Sequence, residues 1–181
     1  MSTWNKFSDP TPYPVVAGFA IDGGGNFPIL HRSSKVRSAP NCWSLPSGLH
    51  EVGETQSESF SREMMEELQL RVRENAIAVL PPYENMPGDG WHWVITHLIS
   101  KSVDSLDHVV NLEPDKHDDM SIASHRLLRN PVDFLNRYSV HPSAVSWYLV
   151  YGSFVYRMIQ RALDWKDEDK RSFSNYLGRV A

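Results

Sequence analysis

The distribution of apolar residues predicts four strands in the first hundred residues. PVVAGFAI, residues 14–21, is almost wholly apolar, as expected of a strand buried on both faces. FPILHR, residues 27–32, follows DGGGN, residues 22–26, which predicts a turn because consecutive glycines adopt positive φ without steric cost. These two runs are therefore predicted to form a hairpin. RVRENAIAVLP, residues 71–81, and WHWVITHLIS, residues 91–100, are also predicted strands, the latter for its β-branched and aromatic residues.

Helical periodicity is clearest between residues 55 and 68. Phe60, Met64 and Leu68 fall on one stripe at about 100° per residue, which predicts that this face of a helix packs into the core. Thr55 and Glu58 form a T-x-x-E capping box, in which each side chain bonds the other residue's backbone N–H. The helix is therefore predicted to begin at Thr55.

The second half of the chain is predicted to be mainly helical. Residues 103–120 are acidic and are interpreted as a loop. Residues 127–138 have helical spacing that Pro131 breaks. The pattern of residues 142–165 predicts one long helix. Because much of this helix is apolar, we expect it to pack on the domain or on a second copy of the chain. Residues 166–181 form a charged tail.

This order of strands, helix, strands and helices indicates an α+β or mixed α/β fold. The length of 181 residues suits one ordinary domain with an attached piece. We assign residues 1–140 to the domain, with residues 1–13 as a polar arm. Residues 141–181 are assigned to a C-terminal helical extension.

Charge and cysteine content narrow the classes of function. The net charge is −4 and no block of lysines and arginines occurs, so a broad nucleic-acid surface is not expected. Cys42 is the single cysteine, which excludes an internal disulfide and fits a reducing compartment. The N-terminal arm lacks the apolar segment of a signal peptide, and no apolar run reaches the roughly 18 residues of a membrane span. We therefore expect a cytoplasmic protein without a membrane partner.

The stretch GLHEVGETQSESFSREMMEELQL, residues 48–70, concentrates carboxylates beside an apolar stripe. On the predicted helix Glu63 and Glu67 lie one turn apart at the stripe's edge, and Glu66 lies further out. A carboxylate at an apolar edge is unfavourable without compensation, and like charges four residues apart repel. A bound divalent cation would resolve both problems, and Mg²⁺ is commonly held by a few carboxylates together with substrate phosphates. A solvated surface helix with ion pairs is the alternative.

The spacing in this stretch resembles the Nudix box, G-x5-E-x7-R-E-U-x-E-E-x-G-U, in which U is a bulky apolar residue. Each defined position is matched between Gly48 and Leu70 except one, where Gln69 replaces glycine. That glycine ends the helix in a left-handed conformation, which would cost Gln69 about 1 kcal/mol unless the helix ends differently. WSLPSG, residues 43–48, is similar to the W-x-L-P-G-G that often leads into the box. A looser resemblance extends over residues 14–130.

The resemblance implies a Nudix fold, with a mixed β-sheet sandwiched between helices, and a MutT-like hydrolase of nucleoside diphosphate-X compounds. It implies attack of water on phosphorus, with Mg²⁺ as the cofactor and Mn²⁺ as the other candidate. Glu63, Glu66 and Glu67 are then the metal ligands, although Glu66 is alternatively the general base. Arg62 is predicted to orient these glutamates through ion pairs.

Other residues are predicted to support this site. Glu54 is expected to hold the loop and the arginine of the box, and Gly48 to allow close approach of backbone to metal or phosphate. Substrate contacts are predicted for four charged residues, namely Lys35, Arg37, Glu113 and Asp118. The last two lie in NLEPDKHDD, residues 111–119. The resemblance implies that such a later loop often supplies a further acidic ligand, for which Glu113, Asp115, Asp118 and Asp119 are the candidates. Its N-x-E-P-x-K segment is similar to one in nucleoside triphosphate pyrophosphatases of the superfamily. A solvated acidic loop is the alternative for these residues.

Aromatic and histidine residues are assigned weaker roles. Trp91, Trp93 and Phe27 could stack on a base, but alternate strand residues more often pack a core. Four histidines lack zinc-ligand spacing and are given no role: His50, His92, His117 and His125.

The favoured reaction is conversion of a (deoxy)nucleoside triphosphate to the monophosphate and pyrophosphate. Hydrolysis of a nucleotide sugar or another nucleoside diphosphate-X compound is the first alternative, because the box is the same in both classes. A non-catalytic nucleotide-binding regulator is the alternative from another class, and the presence of both Glu66 and Glu67 argues against it. Removal of an RNA cap is disfavoured by the acidic net charge. The expected partner is a small nucleotide, and a homodimer is a further expectation.

Overall fold

The computed structural model describes residues 12–73, 78–85 and 92–164. Most of the predicted N-terminal arm, Trp91 and the predicted charged tail lie outside the described residues. The strands are β1 Tyr13–Ile21, β2 Asn26–Arg32, β3 Trp43–Ser44, β4 Ser47–Leu49, β5 Ala78–Val79, β6 Tyr83–Asn85, β7 Trp93–Lys101 and β8 His117–Ser124. The helices are α1 Gln56–Leu68, α2 Pro131–Arg137 and α3 Pro142–Asp164, with short 3-10 turns at Leu106–His108 and His125–Arg129.

The strands form two sheets. In the larger sheet the order is β4-β1-β7-β5, and β6 also pairs with β7. β1 and β7 are parallel, with Val16 opposite Thr96, and the other pairs of this sheet are antiparallel, so the sheet is mixed. The smaller sheet, β3-β2-β8, is antiparallel. The parallel pairing places β1 at the centre of the larger sheet, where it is buried on both faces.

Helices cover the sheets on two sides. The α1 stripe of Phe60, Met64 and Leu68 packs in one core cluster with Val16 and Leu98 of the larger sheet. A second cluster on the other side joins both sheets to α2 and α3. Each large apolar side chain buried in this way contributes about 1.5–3 kcal/mol. The predicted fold class, a mixed sheet between helices with a C-terminal helix, is confirmed.

The predicted hairpin of β1 and β2 is wrong, although the turn between them is present. Asp22 closes the turn, because its Oδ1 accepts hydrogen bonds from the N–H groups of Gly24 and Asn26, both at 2.8 Å. β1 and β2 then enter different sheets. Their apolar faces meet across the core, with the Phe19 and Phe27 rings 4.9 Å apart at 82°. Packing face to face buries more apolar surface here than pairing edge to edge would.

Two further predicted boundaries need correction, whereas the predicted break at Pro131 is confirmed. The 3-10 turn His125–Arg129 ends before Pro131, and Pro131 begins α2, where its missing N–H costs no hydrogen bond. The acidic loop assigned to residues 103–120 ends at residue 116, because β8 begins at His117 and pairs with β2. Within residues 71–81, only Val72, which bridges Ser102, and the two residues of β5 pair as strand, and residues 74–77 lie outside the description.

Helix α1 begins as the capping box predicts. The backbone N–H of Glu58 donates to Thr55 Oγ1 at 3.2 Å, and the N–H of Thr55 donates to Glu58 Oε2 at 2.7 Å. At the other end Gln69 is left-handed, with φ 51° and ψ 34°. This conformation costs about 1 kcal/mol. It is compensated by the buried Leu70, whose N–H donates to the carbonyl of Met64 at 3.1 Å.

Helix α3 packs on the same core as both sheets. Trp147, Val155 and Ile159 are buried in the cluster that contains the inner faces of β1 and β2. Leu149 and Val150 lie on the exposed side of the helix. The division at residue 140 and the homodimer stay predictions. Within the described ranges, no helix has the length and apolar character needed to cross a bilayer.

Candidate active site

The carboxylates of α1 differ sharply in exposure. Glu63 and Glu67 are buried, with 7% and 3% of their surface exposed, whereas 57% of the Glu66 side chain is exposed. The predicted position of Glu63 and Glu67 at the apolar edge of the helix is therefore correct. Burial of ionisable carboxylates is unfavourable unless cations or donors compensate them.

Arg62 provides part of this compensation. Its Nη1 donates to Glu63 Oε1 at 2.6 Å and to Glu66 Oε2 at 3.3 Å. Its Nε and Nη2 donate to the two carboxylate oxygens of Glu54 at 2.9 and 3.1 Å, and Nη2 also donates to the Leu49 carbonyl at 2.8 Å. The hydrogen bonds from Arg62 lower the pKa of Glu54 to about 2. Arg62 thus fixes the position of Glu63 relative to the loop before α1.

Strand β4 contacts both buried glutamates through its backbone. A Cβ added to Gly48 would lie 1.9 to 2.1 Å from the carboxylate atoms of Glu63, so any side chain at this position would displace that carboxylate. The N–H of Ser47 donates to Glu67 Oε2 at 3.0 Å. Two consecutive residues of one strand therefore hold two glutamates that lie one helical turn apart.

The loop before β8 brings two further metal-binding groups to Glu67. Glu67, Glu113 and His117 are the only set of three potential ligands, among the described residues, whose ligand atoms all lie within 4.8 Å of one another. Asn111 organises the loop, since its Nδ2 donates to the His117 carbonyl at 2.6 Å and its Oδ1 accepts from the Glu113 N–H at 3.0 Å. Glu113 was predicted from the sequence as a substrate contact, whereas no role was predicted for His117.

The electrostatics of this set fit a divalent cation. Burial, reinforced by the negative charges of Glu113 and Glu63, raises the pKa of Glu67 to about 8. Burial also raises the pKa of Glu63. Burial lowers the pKa of His117 to about 4, so its ring is neutral at pH 7 and can serve as a ligand. Within the described part of the chain, Glu113 Oε2 and His117 Nδ1 are buried without a hydrogen-bond partner.

Three other predicted substrate residues lie outside this set. The Nζ of Lys35 pairs with Asp115 at 3.1 Å, and both side chains are exposed. Asp118 Oδ1 lies 2.5 Å from His31 Nδ1. Arg37 is exposed in the connection between β2 and β3. Their roles in substrate binding stay predictions.

A cavity of about 260 Å³ lies beside the carboxylates. Ser47, Gly48 and Leu49 of β4 form part of its wall. Most of the remaining lining is apolar, and its residues with aromatic rings are Trp43, Tyr83, Trp93, His97, His141, Trp147 and Tyr148. Trp93, one of the three aromatic residues considered for base stacking, thus lines a cavity, whereas Phe27 is in the core.

Arg32, at the end of β2, connects the cavity to the metal-binding set. It lines the cavity, and its charge acts on both Glu67 and His117. Burial lowers its pKa, and the nearby Glu67 opposes that effect. Its Nε donates to the Ser38 carbonyl at 2.9 Å. No sequence signal distinguished this arginine, and none paired His117, the first residue of β8, with Glu113 of the preceding loop.

Comparisons with known proteins identify the family and support the fold. A family model described as NUDIX domain matches residues 11–140. The fold is similar to a MutT NUDIX hydrolase from Burkholderia pseudomallei, with 22% identity, a TM-score of 0.54, and coverage of 64% of this chain and 85% of that one. It is also similar to a MutT protein from Methanosarcina mazei Go1, with 16% identity, a TM-score of 0.57, and coverage of 80% and 96%.

A third similar structure is a bifunctional NMN adenylyltransferase/ADP ribose pyrophosphatase from Francisella tularensis. It has 15% identity and a TM-score of 0.52, and the match covers 65% of this chain and 36% of that one. A comparison with curated proteins gives no match. At these identities the solved structures establish similarity of fold.

Proposed function

The chain belongs to the NUDIX domain family and is a Nudix hydrolase, and on that premise we propose that it converts (deoxy)nucleoside triphosphates to the monophosphate and pyrophosphate. Mg²⁺ is the proposed cofactor, with Mn²⁺ as the other candidate. A small nucleotide is the proposed partner.

The position of Gly48 is the observation that carries the proposal. Its backbone lies against the Glu63 carboxylate on one side and lines the aromatic cavity on the other. A ligand ring in the cavity would thus have its phosphates directed along β4 toward the buried glutamates. The N-x-E-P-x-K segment supports a triphosphate substrate, because it is similar to one in nucleoside triphosphate pyrophosphatases of the superfamily. The same segment supplies Glu113 to the metal-binding set.

The residues present fit a bound divalent cation. Glu67, Glu113 and His117 would hold it, and Glu63 and Glu66 of the same helix are the additional candidate ligands. When bound, the cation neutralises the diphosphate and activates the attacking water. The two carboxylates suit Mg²⁺, and the imidazole is a ligand that Mn²⁺ accepts more readily than Mg²⁺ does.

The chain's own side chains then have separable roles. Arg62 and the Ser47 N–H fix the two buried glutamates. Glu66 is exposed and next to this set, so it serves either as a further ligand or as the base that takes a proton from water. Lys116, whose Nζ lies 2.7 Å from Glu113 Oε1, offsets the negative charge that would otherwise repel phosphate.

A panel of nucleotides with Mg²⁺ tests the proposal. The panel contains ribonucleoside and deoxyribonucleoside triphosphates, ADP-ribose and nucleotide sugars, and anion-exchange chromatography identifies the products. We expect the highest kcat/KM for a triphosphate, with monophosphate and pyrophosphate as the products. Formation of a sugar phosphate from the best substrate would contradict the proposal and favour the nucleotide-sugar alternative. Glu67→Gln is the control for contaminating hydrolases.

A further inference from the structure

The exposed face of α3 changes character along the helix. Leu149 and Val150, in the first half, are 51% and 67% exposed. Arg157 lies two helical turns after Val150 on the same stripe and is also exposed. The outer face of α3 is therefore apolar toward its start and basic toward its end.

A neighbouring turn lies along the basic half of this face. The Gln160 amide contacts His125 Nε2, and Ser153 Oγ donates to the Arg129 carbonyl at 3.4 Å. These two contacts join the ends of the turn His125–Arg129 to positions on α3 that are seven residues apart. The turn thus runs antiparallel to α3 beside it.

Two arginines of this turn enlarge the basic end. Arg126 and Arg129 are exposed, and Arg157 lies between the two positions of α3 that the turn contacts. Within the described ranges none of these three guanidinium groups forms an ion pair. A cluster of exposed, unneutralised arginines produces a local positive potential that favours an anionic partner. We call these three arginines together with Leu149 and Val150 the outer face.

The sequence that follows α3 carries complementary groups. The helix ends at Asp164, and residues 165–181 lie outside the described residues. Residues 167–169 are three consecutive acids, and three large apolar or aromatic residues come after them: Phe173, Tyr176 and Leu177. A chain that reverses after Asp164 would meet the arginines first and the apolar positions second, which is the order of these groups. The basic side chains beside the acids are long enough to extend into solvent, namely Lys166, Lys170 and Arg171.

The length of this segment also fits. Val150 lies 14 residues before Asp164, a distance of about 21 Å along the helix axis. Phe173 lies 9 residues after Asp164, and that many extended residues span up to about 30 Å. The difference of about 9 Å is enough for a tight reversal of the chain.

We propose that residues 167–177 dock on the outer face of α3, with the three acids against the arginines and Phe173 on Leu149 and Val150. Exposed ion pairs contribute little individually, so the acids set the register and burial of apolar surface supplies most of the affinity. Trp147 and Tyr148 of the same helix line the cavity, so the docked segment holds in place a wall of that cavity. This inference goes beyond the proposed function and does not depend on it.

Paramagnetic broadening in the full chain tests the proposal. A nitroxide is attached at Ser174→Cys in a chain that also carries Cys42→Ser, which removes the native thiol. We expect the amide signals of Val150 and Arg157 to lose most of their intensity. The amide signal of Phe60 should be unaffected, because α1 lies on the other side of the larger sheet. Full intensity at Val150 and Arg157 would overturn the proposal.

A mixed sample distinguishes a second copy of the chain, which the predicted homodimer would place on this face. Isotope-labelled chain without nitroxide is mixed with unlabelled chain that carries it, so that only contacts between molecules broaden the observed signals. We expect no broadening of Val150 in this sample. Broadening in the mixed sample equal to that in the first sample would overturn the proposal in favour of a dimer.

Charge exchange tests the match between acids and arginines. Changing the acids at 167–169 to lysine leaves the described residues untouched, and we expect it to abolish the broadening. Adding glutamate at positions 126, 129 and 157 should restore it. Arg137→Glu, with the native acids, is the matched control, because Arg137 is exposed at the end of α2 and lies outside the outer face.

The remaining outcomes also decide the matter. Broadening that persists after reversal of the acids, or that the exchanged chain fails to recover, would overturn the proposed pairing. If the exchanged chain does not fold by its melting curve, Phe173→Ser decides instead. That variant keeps every charge but removes the apolar contact, so broadening at Val150 should disappear, and unchanged broadening would overturn the proposal.

Discussion

The backbone of Gly48 is in direct contact with the carboxylate of Glu63. A Cβ at position 48 would lie 1.9 Å from Glu63 Cδ, a distance that no pair of non-bonded carbons tolerates. From the other side Arg62 Nη1 holds the same carboxylate at 2.6 Å. Strand β4 and helix α1 are thus fixed together through one side chain, which gives the glycine of the box a steric explanation.

The first expectation concerns Gly48→Ala. The added methyl group must displace the Glu63 carboxylate from its position beside Arg62, and displacement of a group that supports a metal site typically costs 10- to 100-fold in activity. We expect kcat/KM for the best nucleotide to fall by about this factor. Gly23→Ala is the control, because nothing lies within 4 Å of the added Cβ. Equal activity of the two variants would show that the contact with Glu63 has no role in catalysis.

The second expectation is that Glu67→Gln loses most of the activity while the protein still folds. The amide keeps the size of the side chain and can still accept a hydrogen bond from the Ser47 N–H, but it removes the negative charge. Charge stabilisation by a metal contributes several kcal/mol to the transition state, so a loss of about 100-fold or more is expected. Steady-state kinetics at saturating Mg²⁺ measure it. Activity within threefold of wild type would contradict a role for Glu67 as ligand.

The third expectation follows from the raised pKa of Glu67, from its ordinary 4.5 to about 8. A raised carboxylate pKa means that the native state holds the proton more tightly than the unfolded chain does. The destabilisation is therefore absent below pH 4.5, grows as the pH rises, and is complete above pH 8. Without metal, we expect the Tm of wild type to fall across this window more than that of Glu67→Gln.

Divalent cations should reverse this effect. Mg²⁺ binds the ionised native site and not the unfolded chain, so it should raise the Tm of wild type at pH 8 and hardly at pH 4. Glu67→Gln should show little response at either pH. Melting curves of both proteins at the two pH values, with and without Mg²⁺, provide the measurement. Identical responses of the two proteins to Mg²⁺ would support the solvated-helix alternative.

The fourth expectation concerns His117. Imidazole is a better ligand for Mn²⁺ than for Mg²⁺, which prefers oxygen. If His117 binds the cation, His117→Gln should weaken Mn²⁺ binding, measured by electron paramagnetic resonance, more than it weakens Mg²⁺ binding, measured by competition. His108→Gln is the control, because His108 is exposed in the Leu106–His108 turn. An unchanged ratio of the two affinities in His117→Gln would exclude His117 as a ligand.

Local sequence patterns sufficed to predict helix α1, its capping box and the face that it buries. The capping box at Thr55, the stripe of Phe60, Met64 and Leu68, and the edge positions of Glu63 and Glu67 all depend on contacts within about one helical turn. Such contacts follow from spacing along the chain. Burial outweighs mutual repulsion as the cause of the raised pKa values of Glu63 and Glu67, and burial is decided by the tertiary structure.

The spacing of residues along the chain did not predict how distant segments pair. The turn at Asp22 is encoded locally, but the glycines could not show that β1 and β2 enter different sheets, because that outcome depends on β4 and β7 occupying both edges of β1. The polar sequence of β8 likewise gave no strand signal. β8 forms because its backbone pairs with that of β2, and its polar side chains do not predict this pairing.

The sequence by itself therefore determined the family, the helix that carries the acidic residues, and the order of strands and helices. Only the tertiary structure brought Glu113 and His117 to Glu67, placed Arg32 between that set and the cavity, and added Trp147 of α3 to the cavity wall. The physical reason is that these groups are separated by tens of residues along the chain. These groups come together because the apolar faces of the sheets and helices are buried against one another. No short motif encodes the free energy of that burial.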